Sequence, residues 1–205
     1  MARSPLRIGM IGGGTVGGGV YEIIMNRLSD RAIITKVCVR DLSKPRSFHM
    51  DDAVTTLTTD VDSILHDPEI DMVVEVMGGT GLAKRVVVEA LEANKSVVTA
   101  NKALVAEHLT ELKEVCARTK TILAFEAAVC GGIPIIQTLQ TCYTGDVIQE
   151  IMVRTVIRGR VSERGGEVCT VRHSTFYTDV VHHVLGNLQW HNQLHVGQDG
   201  RGCRV

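Results

Sequence analysis

The spacing of apolar residues switches between two periods along the first 125 residues. Leu6 to Ile11 is a short apolar run closed by glycines, which predicts a buried strand. Val16, Val20, Ile23, Ile24 and Leu28 recur at helical spacing within Thr15 to Leu28. Ile33 to Val39 is rich in β-branched residues and predicts a second strand, followed by a polar loop from Asp41 to Met50. Thr55 to Thr59 suits a short third strand. Asp60 is placed to cap a short helix through Leu65, which Asp67-Pro68 breaks.

The alternation continues with a strand over Asp71 to Val76, a turn at Gly78-Gly79 and a helix over Leu82 to Ala93. Asn94 follows as a left-handed helix terminator. A strand over Ser96 to Thr99, a helix over Leu104 to Arg118 and a strand over Ile122 to Phe125 complete the series. Strands alternating with helices predict a parallel sheet covered on both faces. Right-handed crossovers make that a doubly wound α/β fold of the Rossmann type.

Beyond about residue 150 the pattern fades. No lysine follows Lys120, and the later cations are all arginine: Arg154, Arg158, Arg160, Arg164, Arg172, Arg201 and Arg204. His173, His182, His183, His191 and His195 also fall there, and Val168 to Val184 suits a strand or a helix equally.

The strongest local motif is Gly12-Gly13-Gly14-Thr15-Val16-Gly17, between a predicted strand and a predicted helix. Gly12 suits a tight turn, Gly14 lets the backbone approach a pyrophosphate, and Gly17 lets helix and strand pack closely. The free amides and the helix dipole then face the phosphates. At the end of the second strand, where an acidic residue would bind the ribose of NAD, stands Arg40, with Asp41 next to it. A permanently charged, planar guanidinium suits the 2′-phosphate of NADP. Lys44 and Arg46 add positive charge, Asp41 leaves NAD open, and a solvated loop of mixed charge is the plainer alternative.

Composition narrows the field. The 205-residue chain has a formal net charge of −1 and only 3% aromatic residues, which argues against nucleic acid as a partner. Its length suits one full domain with a fragment, or one large domain. No apolar run is long enough to span a membrane. Met1 to Arg7 is expected to be a free N-terminus rather than a signal peptide. Cys38, Cys116, Cys130, Cys142, Cys169 and Cys203 show no paired C-x-x-C spacing and suit reduced thiols in the cytoplasm.

Five segments then carry a resemblance: Arg40-Asp41-Leu42-Ser43-Lys44-Pro45-Arg46, Asp67-Pro68-Glu69-Ile70-Asp71, Val74-Glu75-Val76-Met77-Gly78-Gly79, Val97 to Leu104, and Phe125 to Pro134. In order and spacing, over residues 6 to about 152, the chain resembles homoserine dehydrogenase. The resemblance implies a dinucleotide-binding domain over residues 1–127, the start of an α+β substrate and dimerisation domain over 128–153, and a divergent tail over 154–205. It implies NADP-dependent interconversion of homoserine and aspartate semialdehyde, a step toward threonine, methionine and isoleucine, in a homo-oligomer.

By the same resemblance, Gly14, Thr15 and Val16 meet the pyrophosphate and Arg40 the 2′-phosphate. Met77, Gly78 and Gly79 lie beside the nicotinamide, and Lys102 stands between cofactor and small-molecule substrate as the catalytic lysine. Glu126, Val129, Gly131 and Ile133 hold a monovalent cation, sodium, largely through carbonyl oxygens. Taken alone, Lys102 reads by default as a surface lysine at a helix start, although a lysine sits poorly beside a helix N-terminus. Glu126 alone is either a ligand or a satisfied polar residue. The resemblance ends where the family has an Asn-Gly-Thr-Thr-Asn segment and this chain has Val153-Arg154-Thr155-Val156-Ile157-Arg158. A changed reading frame or an alternative terminal exon would produce such a break. A nucleotide-binding module without turnover, or a non-catalytic partner of a full-length subunit, therefore stands beside the enzyme.

Overall fold

The computed structural model describes residues 4–129 and 133–142. Six parallel strands form one sheet in the order β3-β2-β1-β4-β5-β6. They are β1 (Leu6–Ile11), β2 (Ala32–Cys38), β3 (Thr56–Thr58), β4 (Met72–Glu75), β5 (Ser96–Thr99) and β6 (Leu123–Ala124). The helices are α1 (Thr15–Arg27), α2 (Asp62–Leu65), α3 (Gly81–Glu92), α4 (Lys102–Thr119) and α5 (Ile135–Cys142). The strand order reverses between β1 and β4, and such a switch point opens a crevice at the carboxyl ends of the strands.

The central strands β1, β4 and β5 are buried on both faces, since neighbouring residues point to opposite sides and helices cover each. Val74 and Val98 join Ile8, Met10, Val20 and Ile24 on the face that α1 covers. Val73 and Val97 join Ile64, Val86, Leu91, Leu104 and Leu112 on the face that α2, α3 and α4 cover. Helix α3 shows why it lies there: Ala83, Val86, Val87, Ala90 and Leu91 make one buried stripe. Asn94 ends it with φ 59°, the left-handed conformation expected from its position, and the Asn94 amide donates to Leu91 O at 3.1 Å.

Two element ends differ from expectation. Helix α4 begins at Lys102, not Leu104, because the Asn101 side chain caps it by accepting from the Leu104 amide at 3.2 Å. Asp60 lies two residues before the start of α2, with Val61 at the cap position, and ties a turn instead, its carboxylate accepting from the Asp62 amide at 3.0 Å. On the far edge of the sheet the buried Lys95 donates to the carbonyls of Asp67, at 2.6 Å, and Ile70, at 2.9 Å. Expectations for residues 143–205, the tail included, lie outside the described residues.

Candidate functional site

The glycine corner follows β1 directly. Gly12 adopts φ 115°, and a Cβ there would come 2.7 Å from Val76 O. A Cβ on Gly17 would run into the Gly12 carbonyl oxygen. Both positions therefore require glycine so that α1 can start against the strand ends. Gly14 differs: a Cβ there would meet nothing within 4 Å, so the open space beside it is available to a ligand. No acidic residue occupies the first turn of α1, which leaves its positive end uncompensated. Thr15 and Val16 present their amides at this end, where a diphosphate is readily bound.

The segment between β2 and β3 has no helix and folds back onto α1. Phe48 lies against Gly18 and stacks on Tyr21, with ring centroids 5.2 Å apart. The Tyr21 hydroxyl accepts from the Asp51 amide at 3.1 Å. It lies 2.9 Å from Thr55 Oγ1, which donates to Ile34 O at 2.6 Å. These bonds hold the second half of the segment against α1 and β2. Arg46 joins the two: Nη1 donates to Gly13 O at 3.4 Å and Nη2 to Asp41 O. Arg40 is exposed on the same segment. The Asp41 carboxylate accepts from the Ser43 hydroxyl at 2.7 Å and the Ser43 amide at 2.9 Å, and these bonds hold its pKa below the usual range.

The second half of the site lies at the ends of β4 and β5. Glu75 and Thr99 pair in register, and both are fully buried. Thr99 Oγ1 donates to Glu75 Oε2 at 2.5 Å, and the Met77 amide donates to Glu75 Oε1 at 2.9 Å. The Asn101 amide donates to Thr99 Oγ1 at 3.0 Å, and Asn101 Nδ2 donates to Gly79 O at 2.7 Å. The loop of Met77, Gly78 and Gly79 is thereby fastened to the residue preceding Lys102. Lys102 itself is exposed in the first turn of α4. Burial pushes the Glu75 carboxyl up, opposed by bonds from Thr99, Met77 and Asn101.

Glu126 serves a different neighbour. Its side chain is buried, and its carboxylate accepts from the amides of Ile136, at 2.7 Å, and Gln137, at 3.0 Å, capping α5. Its carbonyl accepts from the Val129 amide at 2.9 Å, and the Ile133 carbonyl accepts from the Ile135 amide at 2.7 Å. A carbonyl oxygen keeps a second lone pair, so a cation ligated through carbonyls is compatible with these bonds. Gly131 lies outside the described residues. Among the described residues, no group of three or more His, Cys, Asp or Glu side chains gathers as a metal site. None of their helices is long and apolar enough to cross a membrane.

The sequence points to the glycine corner, Arg40, the Met77–Gly79 loop and Lys102, and the structure brings all of them to the carboxyl edge of the sheet. Sequence reasoning missed Glu75, Thr99 and Asn101 as a connected group. The available signal was an acidic residue inside an apolar strand run, which is costly unless hydrogen-bonded.

Fold and site together define an α/β domain of the dinucleotide-binding class. Residues 12–126 match the model of the family described as "Homoserine dehydrogenase, NAD binding domain". The homoserine dehydrogenase of Bacillus subtilis is 40% identical over 154 residues, covering 72% of this chain and 35% of that protein. The crystal structure of a homoserine dehydrogenase from Thiobacillus denitrificans superposes with a TM-score of 0.60 at 37% identity, covering 68% of this chain and 33% of that one. A hyperthermophilic archaeal homoserine dehydrogenase in complex with NADPH shares the fold, with a TM-score of 0.54 at 21% identity over 66% of this chain and 48% of that one. The chain belongs to the homoserine dehydrogenase family. It spans about a third of the length of the curated relatives it matches.

Proposed function

We propose that the chain binds NADP(H) and acts in the interconversion of L-homoserine and L-aspartate 4-semialdehyde. The observation that carries this reading is the bond from Asn101 to Gly79, which joins the Lys102 turn to the loop beside the glycine corner. In this reading the amides near Gly14, Thr15 and Val16 take the diphosphate, with Gly12 and Gly17 shaping the corner. Arg40 takes the 2′-phosphate, while Asp41 is turned to Ser43; this arrangement favours NADP over NAD. Met77, Gly78 and Gly79 flank the nicotinamide ring.

When bound, the nicotinamide supplies or accepts the hydride. Lys102 polarises the aldehyde oxygen and delivers its proton in the reductive direction, so that hydride and proton together convert aldehyde to alcohol. Glu126, Val129, Gly131 and Ile133 would hold a monovalent cation, sodium by the family pattern, largely through carbonyl oxygens. Thermal stabilisation by sodium chloride over choline chloride would support it; equal effects would remove it.

The deciding experiment titrates the 205-residue chain with NADPH and NADH and then follows NADPH oxidation with aspartate semialdehyde. Binding with turnover is the expected result, and absence of binding to either nucleotide would overturn the reading. A second reading is a nucleotide-binding module without turnover. It is favoured by the match to relatives reaching only 72% of the chain. Cofactor-induced stabilisation without oxidation of NADPH would select it.

A further inference from the structure

The reaction assigned above leaves one buried acid unused. Glu75 is fully enclosed at the carboxyl end of β4, and its Thr99, Met77 and Asn101 partners are all uncharged. A buried carboxylate held only by neutral donors is costly at a position where an apolar side chain would fill the strand. Its hydrogen bonds run in two directions. Through Oε1 it fixes the Met77 amide, two residues along its own strand end. Through Oε2 it holds Thr99, whose oxygen receives the Asn101 amide. Asn101 closes the circuit by donating to Gly79 O and by capping α4 at Leu104. The Ala100 amide also donates to the Glu75 carbonyl at 3.2 Å. Glu75 therefore touches both loops that converge on the crevice and stands between them.

We propose that Glu75 is a positioning residue that locks the Met77–Gly79 loop to the Asn101–Lys102 turn and so sets the nicotinamide half of the nucleotide site. The proposal rests on the nucleotide-binding reading above. It leaves the diphosphate to the glycine corner and the 2′-phosphate to the Arg40 segment, which make no hydrogen bond to Glu75. The lock is thus selective: loosening it disturbs one end of the ligand and spares the other. A residue serving only overall stability would affect both ends alike.

Two ligands separate these cases on the full chain: NADPH, and 2′-phospho-ADP-ribose, which lacks the nicotinamide. Glu75→Gln and Thr99→Val are expected to raise the Kd for NADPH by about tenfold, the scale of one buried hydrogen bond broken at a charged acceptor. The Kd for 2′-phospho-ADP-ribose is expected to stay within about twofold, and Thr99→Ser, which keeps the hydroxyl, should restore NADPH affinity. Equal weakening of both ligands, or no weakening of NADPH, would overturn the assignment.

Amide hydrogen exchange on the nucleotide-free protein tests the lock independently. Glu75→Gln should speed exchange at Met77 and over Asn101 to Leu104 while leaving β1 and β2 protected. Uniformly faster exchange, or none, overturns the lock. Should the unaltered chain bind neither ligand, the nucleotide reading falls, and exchange alone decides whether Glu75 ties the two loops.

Discussion

Gly17 sits so close to Gly12 that a single methyl group on the former would overlap the carbonyl oxygen of the latter. Gly14, between them, has open space where its Cβ would be. The two glycines therefore do different work, and alanine separates them. Gly17→Ala forces α1 away from the strand ends, and overpacking of this kind costs about 1–3 kcal/mol. It should lower Tm by several degrees and weaken nucleotide binding with it. Gly14→Ala should leave Tm within about a degree, since nothing in the protein is displaced, yet weaken NADPH binding by roughly tenfold or more through crowding of the phosphates. Thermal melts beside binding titrations check both; a Gly14→Ala protein that binds normally would show that no ligand approaches there.

Arg40 is expected to discriminate between the two nucleotides. Arg40→Ala removes a guanidinium that would meet a phosphate present only in NADP. NADPH affinity should fall about tenfold or more, the scale of a charge-assisted hydrogen bond, while NADH affinity changes little. Isothermal titration with both nucleotides measures the ratio. Equal loss would remove the 2′-phosphate role.

Lys102→Met tests chemistry rather than binding. The side chain is exposed in the first turn of α4, where its replacement disturbs no core packing. Turnover of aspartate semialdehyde should drop by about 10²- to 10⁴-fold, the range typical of a lost proton-transfer group. The Kd for NADPH should hold within about threefold, because a group acting only in the transition state adds little to ground-state binding. A parallel rise in Kd would instead make Lys102 a binding residue.

Asp67 and Glu75 should give the stability profile opposite slopes. Bonds from Lys36 and the Glu69 amide hold the Asp67 carboxyl below its ordinary value. Its contribution is present above the ordinary aspartate pKa and is lost as pH falls through the depressed one. Burial raises the Glu75 carboxyl, so its contribution is full below the ordinary glutamate pKa and is lost as pH rises through the elevated one. Urea melts across pH should show Asp67→Asn losing least, relative to the unaltered chain, at the acid end. Glu75→Gln should compare best with the unaltered chain at the alkaline end. The reverse order would show that these groups are not perturbed as the geometry implies.

Much of this was legible beforehand. The bounds of Leu6–Ile11 and Ser96–Thr99 agree with the sequence pattern to the residue: glycines close the first, and the second is a short β-branched run soon after the Asn94 terminator. Asn94 was recognised as a helix terminator for a local reason, the tolerance of asparagine for positive φ. Apolar periodicity begins α4 two residues late because the capping bond from the Leu104 amide to the Asn101 side chain extends the helix over residues outside that pattern. The sequence allows Glu126 two roles, and its bonds to Ile136 and Gln137 exist only with α5 folded against the short turn Glu126–Ala128.

Hydrophobic spacing and the glycine hexapeptide, both properties of short stretches, sufficed for the parallel sheet, the diphosphate corner and the family. What needed the folded chain was every link between distant stretches: Arg46 across to Gly13, Phe48 onto Gly18, and Glu75 through Thr99 to Asn101. Such links depend on register and on which strands become neighbours. β1 lies beside β4 although four elements separate them in the chain. Local patterning encodes which face of an element is buried. Only the packing of all faces at once decides which polar atoms meet.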